Sequence, residues 1–400
     1  MKRGDGLKSA GDIVADSHLK ALAPAESRVV PPTPIESQQL TLFQNFLCNT
    51  NEQRQELSNA IDLWDSIPRY SISRAAQARK RQPRQYDEET DTAKGTTLKK
   101  ITTTVHYMRC TYECTITPAR VTDLDGNERD YYPSANEELV EDALRKLAAD
   151  QAGFFDDSKR PTIISGVGFS LYGLQQELAR VGHSRSCAEL KLSLDIMQGS
   201  NVHIVGKDES GQEINIKSSY LPTVIAVSRG RLRDDPKARW LVHFHPLVTA
   251  SIDKVAYRQF NYGKMMRQKK QLARWLHKQL ALKCVGADLI RPFEMRFSTI
   301  KRDGGLLDRY SQTRDAVKAL VDALEALKTS DVISAYDRKD VLGRRKKIED
   351  VVFNLWPSLE FVRDVKASNK RQNDSLQKLD PRGTTRGFLP KSGGTTRGKL

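Results

Sequence analysis

Apolar residues between Phe169 and Ser219 follow two different spacings. In Leu171–Val181 and Cys187–Met197 an apolar residue recurs every three or four positions, which predicts two helices separated by a short turn. Val202–Val205 and Glu213–Lys217 are shorter and alternate, which predicts the two strands of a β-ribbon. Helix, turn, helix and ribbon in this order make a winged helix, a unit that places one helix in the major groove of DNA.

The same order of elements is predicted again nearer the C-terminus. A basic amphipathic helix at Arg267–Cys284 precedes a short helix and turn within Ser298–Leu307 and a strongly periodic helix at Ser311–Lys328. A second ribbon follows at Val332–Tyr336 and Val351–Leu355. The predicted fold class is therefore α+β, with two tandem winged-helix domains.

Composition divides the rest of the chain. Residues 1–97 are predicted to be a mostly disordered arm containing one helix, because much of the segment is rich in Ala, Ser and Pro or in mixed charge without periodicity. Residues 98–250 form the first winged-helix domain and residues 251–365 the second. Residues 366–400 hold nine Lys or Arg against two Asp and are predicted to be a disordered basic tail.

The charge and cysteine content narrow the class of partner. Sixty-five Lys and Arg against 50 Asp and Glu give a net charge of +15, which favours a polyanion such as nucleic acid. No apolar run is long enough to cross a membrane. The five cysteines include no C-x-x-C pair, which indicates reduced thiols. We therefore expect a cytoplasmic, DNA-associated protein without a metal or a cofactor.

Candidate DNA contacts lie at the start of each second helix and along the second ribbon. Arg suits the edge of guanine, Gln that of adenine, and Ser or Thr a phosphate. An ordinary solvated helix face is the alternative interpretation. The candidates of the first domain are Arg185, Ser186, Glu189 and Lys191. Those of the second helix pair are Arg309, Ser311, Gln312, Thr313, Arg314 and Lys318. Those of the second wing are Arg338, Lys339, Arg344, Arg345, Lys346 and Lys347.

A short motif in the N-terminal arm indicates a protein partner. Gln39, Leu40, Leu42 and Phe43 resemble the peptide by which bacterial proteins dock on the replicative sliding clamp. Two leucines and a phenylalanine would fill an apolar pocket while the glutamine fixes the register. The alternative is an apolar lead-in that packs on the following helix.

Two histidines suggest a competing, enzymatic hypothesis. His243 and His245 have the spacing of the metal site in rolling-circle nicking enzymes, and Tyr257 or Tyr262 would then be the nucleophile. The tyrosines do not fit the Tyr-x-x-Lys pattern of those enzymes, since Tyr262 is followed by Lys264. Histidines on a strand are more often structural. No glycine-rich nucleotide loop is present either.

Four segments and the tandem organisation resemble RepA-type plasmid replication initiators. The segments are Phe169–Leu178, His245–Thr249, Gln271–His277 and Met295–Ile300. The resemblance covers roughly residues 98–365 and implies a protein without catalysis. Such proteins bind repeated origin sites called iterons, open adjacent AT-rich DNA, and recruit the host initiator, helicase and clamp.

The resemblance also implies a homodimer in equilibrium with a monomer. Dimers of this family often repress their own gene while monomers initiate replication, and the first winged domain usually carries the dimer surface. A winged-helix transcriptional repressor without a replication role is the other alternative that the sequence leaves open.

Overall fold

The computed structural model describes residues 57–83, 95–107, 110–122, 128–150, 154–155, 164–207, 211–227, 238–253, 257–343 and 348–379. Their buried apolar side chains form two clusters. The first cluster is built mainly by residues before 267 and the second by residues after 271. The two clusters meet near residue 270 and define the two units described below, while the domain ranges expected from the sequence, 98–250 and 251–365, stay a prediction.

The first unit combines a helix bundle with several small sheets. Its elements are β1 (Leu57–Ile61), α1 (Asp62–Ser66), α2 (Arg74–Lys80), β2 (Gln82–Pro83), β3 (Gly95–Thr97), β4 (Ile101–Tyr107), β5 (Cys110–Thr117), β6 (Ala119–Thr122), β7 (Glu128–Tyr131), α3 (Ala135–Asp150), β8 (Phe154–Phe155), β9 (Ile164–Ser170), α4 (Leu171–Arg180), α5 (Cys187–Gly199), β10 (Asn201–Lys207), β11 (Glu213–Ser219), β12 (Thr223–Val227), β13 (Arg239–His243), α6 (Pro246–Asp253), β14 (Tyr257–Asn261) and α7 (Tyr262–Met266).

The predicted helix pair of this unit is present as α4 and α5, and the predicted ribbon as β10 and β11. Leu171, Leu174 and Leu178 are fully buried, as their spacing predicts. The ribbon extends a four-stranded sheet of order β11-β10-β5-β4, whereas β9, the strand before α4, pairs with β8 and β13. The helices therefore have the predicted order, but the sheet arrangement is more elaborate than that of a simple winged helix.

The second unit has the complete element order of a winged helix. It consists of α8 (Gln271–Lys283), β15 (Phe293–Arg296), α9 (Phe297–Gly304), α10 (Thr313–Thr329), β16 (Ile333–Leu342), β17 (Ile348–Pro357) and α11 (Leu359–Leu379). The three strands form one antiparallel sheet of order β15-β17-β16. Leu320 and Leu324 of α10 pack with Phe353 of β17 in its core, as apolar spacing along helix and strand requires.

Residues 57–83 differ from the predicted disordered arm. β1 pairs antiparallel with β14, two hundred residues away in the chain, and Ile61 and Trp64 are fully buried in the first core. Ser73 caps α2 by accepting a hydrogen bond from the backbone N–H of Ala76 at 3.2 Å. The apolar spacing of this segment predicts a helix over Glu52–Ser66, but Leu57–Ile61 form the strand β1 and the helix α1 begins only at Asp62. The prediction was wrong there because the partner strand β14 lies far along the chain.

The C-terminal helix α11 also differs from the prediction, which began a disordered tail at residue 366. Phe361, Val362 and Val365 pack in the second core, and Leu376 packs against the first. Ser368 Oγ accepts a hydrogen bond from the backbone N–H of Gln259 in β14 at 3.0 Å. α11 therefore links the two units. The polar composition of this segment concealed a helix with a narrow apolar stripe.

The basic side of α8 packs on the acidic side of α3. Lys278 Nζ lies 2.8 and 2.6 Å from the two carboxylate oxygens of Asp142, and Arg274 lies 3.6 Å from Glu138. All four side chains are buried. The positive face that the sequence predicts for this helix therefore contacts protein, and these ion pairs fix the second unit on the first.

A buried histidine of α8 makes stability depend on pH. His277 is 1% exposed, and Gln268 Nε2 lies 3.2 Å from its Nδ1. Burial, reinforced by the charges of Lys264 and Lys278, lowers the pKa of His277 to about 3. An unfolded histidine has a pKa of about 6.5, so the unfolded chain binds the extra proton between these values. Stability from this group is present above pH 6.5 and is lost as pH falls towards 3.

We expect His277→Gln to reduce the decrease in the free energy of unfolding that occurs as the pH falls below 6.5. Between pH 6 and pH 4 the wild type should lose about 1.4 kcal/mol per pH unit relative to the variant. Urea unfolding at pH 7, 6, 5 and 4 measures the difference, and the exposed His106 on β4 supplies the matched control, His106→Gln. Parallel profiles for wild type and His277→Gln would contradict the expectation.

Candidate nucleic-acid interface

The first turn of α10 presents polar side chains to solvent. Ser311, Gln312, Thr313 and Arg314 are exposed, and Lys318 is exposed one turn later. The Arg314 side chain retains 86% of its accessible surface, and its closest acidic neighbour is Asp315 at 3.7 Å. The opposite side of the same turns is buried through Ala316, Val317 and Leu320. The structure thus brings five of the predicted contact residues to one exposed helix end.

The N-terminus of α10 has no side-chain cap. Gln312 occupies the N-cap position without making the capping hydrogen bond. The first N–H groups of a helix lack partners within the helix and carry partial positive charge, so an uncapped terminus favours an anion such as phosphate.

In the first unit, the N-terminus of the corresponding helix, α5, is capped by side chains. Ser186 Oγ accepts a hydrogen bond from the Glu189 N–H at 3.2 Å, and Glu189 Oε2 accepts from the Ser186 N–H at 2.8 Å. This capping box satisfies two of the N–H groups at the start of α5, those of Ser186 and Glu189. Hydrogen bonds from the Ser186 backbone and side chain lower the pKa of Glu189, so its carboxylate is held in the charged form. An ionised carboxylate at this terminus opposes the approach of a phosphate.

The remaining candidates of the first unit are also engaged. Arg185 donates a hydrogen bond to Asn136 Oδ1 at 2.8 Å and another to the Ser184 carbonyl at 2.7 Å. Lys191 is half-buried and interacts electrostatically with Asp195. Arg185 therefore helps to build the turn and its contact with α3, and the structure does not gather Arg185 and Lys191 into an exposed reading surface.

Two hydrogen-bond links hold the second ribbon against the helices. Tyr336 Oη donates to Glu325 Oε1 of α10 at 2.7 Å. At the other strand, Asp350 accepts from the Ser298 N–H at 2.9 Å and from the Ser298 hydroxyl at 2.7 Å. Burial opposes ionisation of Asp350, but the hydrogen bonds from Ser298 prevail and lower its pKa. The ribbon is thereby oriented by both α9 and α10.

The predicted wing cations fall into two groups. Arg338 is paired with Asp340 at 2.7 Å, and Lys339, its neighbour on β16, is exposed. Residues 344–347, the four cations predicted at the wing tip, lie outside the described residues. So do the clamp-type residues at positions 39–43.

Three lysines of the second unit have no acidic partner among the described residues. They are Lys301 on α9, Lys318 on α10 and Lys339 on β16, one on each of three consecutive elements. Arg309 is held differently: its guanidinium lies 5.0 Å from the ring centre of Tyr310 and donates to the Tyr310 hydroxyl at 2.9 Å. The unpaired ammonium groups are available to neutralise phosphates.

Charge is divided unequally between the two sequence ranges expected to form domains, a signal that inspection of motifs missed. Residues 98–250 contain 19 Lys and Arg against 20 Asp and Glu, whereas residues 251–365 contain 24 against 15. Counting charge by domain distinguishes the units from sequence alone. The excess of positive charge therefore lies in residues 251–365 and in the residues that follow them.

The two histidines of the enzymatic hypothesis do not share a strand face. β13 ends at His243, and His245 stacks on Trp64 with ring centres 4.3 Å apart. Burial and the nearby Arg69 charge lower the pKa of His245 to about 4, and its Nδ1 accepts the Leu247 N–H at 3.1 Å. Tyr257 and Tyr262 are buried. In the described part of the chain, no cluster of three His, Cys, Asp or Glu side chains could hold a metal ion.

Comparisons with known proteins give structural similarities at low identity. No protein-family model matches the sequence, and no curated protein matches it. The fold is similar to domains 2 and 3 of RctB in a selenomethionine crystal structure, with a TM-score of 0.41, 12% identity, and coverage of 64% of this chain and 91% of that one. A second RctB structure of domains 2–3 gives a TM-score of 0.38 and 10% identity over 66% and 94% of the chains.

A third similar structure is a Pi initiator protein crystallised in complex with iteron DNA. Its TM-score is 0.36 at 12% identity, with coverage of 61% of this chain and 98% of that chain. Within the residues that the structure describes, no helix is both long and apolar enough to span a membrane.

Proposed function

We propose that this protein binds duplex DNA mainly through its second unit. The uncapped first turn of α10, with Gln312, Arg314 and Lys318 exposed beside the ribbon, carries the proposal. In such a unit α10 lies in the major groove, where Arg and Gln read base edges, and the wing follows the backbone or minor groove. The excess of cations in residues 251–365 supplies the attraction for phosphate.

The first unit then contributes less to base reading. Its α5 terminus is closed by Ser186 and Glu189, and Arg185 is bound to Asn136. The buried pairs between α3 and α8 hold it in a fixed position beside the second unit. Its role is to orient the second unit on DNA and, as the RepA-type resemblance implies, to carry the surface of a homodimer.

The biological role that we propose is initiation of plasmid replication at repeated origin sites. The four segments that resemble RepA-type initiators support it. The protein would bind iterons, promote opening of adjacent AT-rich DNA, recruit the host initiator, helicase and clamp, and repress its own gene as a dimer. Two winged helices spaced one turn apart would give a site on the order of 20 base pairs.

Footprinting on the DNA next to the protein's own gene tests this role. The expected result is protection of a directly repeated element, with permanganate-reactive thymines appearing in neighbouring AT-rich DNA. Protection of a single operator without any opening would favour the transcriptional repressor. Protection of no element, at protein concentrations that saturate random DNA, would overturn the proposal.

We expect Arg314→Ala to relax sequence preference rather than to abolish binding. Loss of one good Arg–base contact costs about 1–3 kcal/mol at a single base position. Competition binding against a set of single-base variants of the selected site measures the change. Lys328→Ala, an exposed change in the last turn of α10, is the matched control and should leave preference unaltered. Equal loss of affinity for selected and random duplexes would contradict a reading role for Arg314.

A further inference from the structure

The far end of the second ribbon carries exposed aliphatic side chains. Val341, Leu342 and Ile348 expose 36%, 57% and 43% of their surface. After Tyr336, every residue of β16 is exposed, so this end of the ribbon extends beyond the core of its unit. Exposed apolar side chains at the outer end of a strand pair contribute nothing to that core.

The strand register places two of these residues side by side. Val341 is opposite Asp350, but Leu342 is opposite Ile348, so Glu349 is an extra residue on β17. A β-bulge of this kind bends the ribbon and increases its twist. Directly opposite residues of an antiparallel pair have Cβ atoms about 4.5–5.5 Å apart. Leu342 and Ile348 therefore form a compact aliphatic pair at the last described step of the ribbon.

Cationic residues flank Leu342 and Ile348 in the sequence of the ribbon. Arg338 and Lys339 lie on the same strand, a few residues before Leu342. Four more cations, residues 344–347, follow Leu342 in the sequence. An apolar pair between cationic stretches complements duplex DNA, whose charged backbone borders a stack of apolar bases. Proteins that deform DNA insert Leu, Ile or similar side chains between base steps in the minor groove and bend the duplex by about 20–90°.

We propose that Leu342 and Ile348 form a wedge that enters the minor groove and partly unstacks a base step. The inference rests on the proposed DNA-binding function and adds to it a means of deforming the duplex. Flexible TpA steps are the least costly to open, so the wedge favours AT-rich DNA. It would supply strain to the duplex through a contact separate from the base reading by α10.

The test uses the full chain and a duplex of about 30 base pairs with 2-aminopurine at a single TpA step, at low salt, where phosphate contacts suffice for binding. The variant L342T/I348T keeps β-propensity, since Thr is favoured in strands. The wild type should raise 2-aminopurine fluorescence and bend the duplex by about 20° or more in a circular-permutation assay. The variant should bind the duplex and do neither.

A matched control changes aliphatic surface elsewhere. L289T/I290T removes two exposed side chains in the turn before β15 and should behave as wild type. Equal fluorescence and bending by wild type and L342T/I348T would overturn the wedge while leaving DNA binding intact. If L342T/I348T changed only the self-association of the DNA-free protein, Leu342 and Ile348 would be a contact between copies of the chain. That result would also overturn the wedge. Failure of the wild type to bind any duplex would refute the proposed function itself.

Discussion

Replacing Lys301, Lys318 and Lys339 together by glutamine is expected to weaken binding to any duplex by roughly a hundredfold at 0.1 M salt. Each phosphate contact contributes about 0.9 to the slope of log K against log salt, because it releases condensed counterions from the DNA. Three lost contacts should therefore lower the magnitude of that slope by roughly three. Binding titrations between 0.05 and 0.3 M salt on random and selected duplexes, by fluorescence anisotropy, measure both quantities.

The three lysines are suited to this test because each is on a different element and none has an acidic partner among the described residues. Removing them breaks no ion pair in that part of the chain. A second variant with Lys99, Lys100 and Lys217 changed to glutamine removes the same charge from exposed positions of the first unit. It should lose little affinity. Equal losses in the two variants would show that overall charge, rather than contact by the second unit, governs binding.

Local spacing was sufficient for the elements that matter most to this interface. The leucines of α4 and the apolar stripe of α10 lie at helical intervals, and both ribbons alternate as strands do. Each of these elements buries one face on its immediate neighbours in the chain. Short-range pattern and final packing therefore agree for the helices and for the first ribbon, whereas β16 runs to Leu342, past its predicted end at Tyr336, through residues that are polar or exposed.

Long-range packing was not visible in the same way. β1 is a strand only because β14 offers it a partner two hundred residues later, and α11 is ordered because it reaches both cores. The helix α8 was predicted to have a basic face. That face is buried because it pairs with acidic side chains of α3, and in the sequence alone those acidic residues look like an ordinary solvent-exposed helix face. Complementarity between distant segments has no local signature.

Some features of the candidate site could likewise be predicted from local sequence, and others depend on contacts between distant segments. The Ser-x-x-Glu spacing at Ser186 and Glu189 is itself the sequence signature of a capping box, so the involvement of Glu189 in the turn could have been anticipated. The engagement of Arg185 with Asn136 could not, because α3 and α5 meet only in the folded chain. For α10, the predicted start at Ser311 put the helix terminus beside residues that commonly cap helices, so the uncapped N-cap at Gln312 emerged only from the structure. It is the difference that separates the two helices.

The second large effect is expected from Asp65→Asn, which should destabilise the folded protein by about 3–5 kcal/mol. Asp65 accepts hydrogen bonds at 2.8 and 3.0 Å from Arg145 and at 3.0 Å from Arg69, and all three side chains are buried. Burial opposes ionisation of Asp65, but the charges of Arg145 and Arg69 outweigh it and hold its pKa far below the ordinary value. An asparagine of the same shape would leave two buried guanidiniums short of a negative charge.

Asp62, in the same short helix, provides the matched control because burial, and not the nearby positive charge, has the larger effect on its pKa. Burial outweighs the hydrogen bond from Tyr107 and the charge of Arg258 and raises the pKa of Asp62, so its neutral form is less costly. Asp62→Asn should therefore cost far less than Asp65→Asn in urea unfolding at pH 7. The stabilisation from Asp65 is present above its unfolded pKa of about 4 and declines as pH falls below it, so the gap between wild type and Asp65→Asn should narrow in acid. Equal losses from the two substitutions, or a gap that does not change with pH, would show that Asp65 acts through its shape and not through its charge.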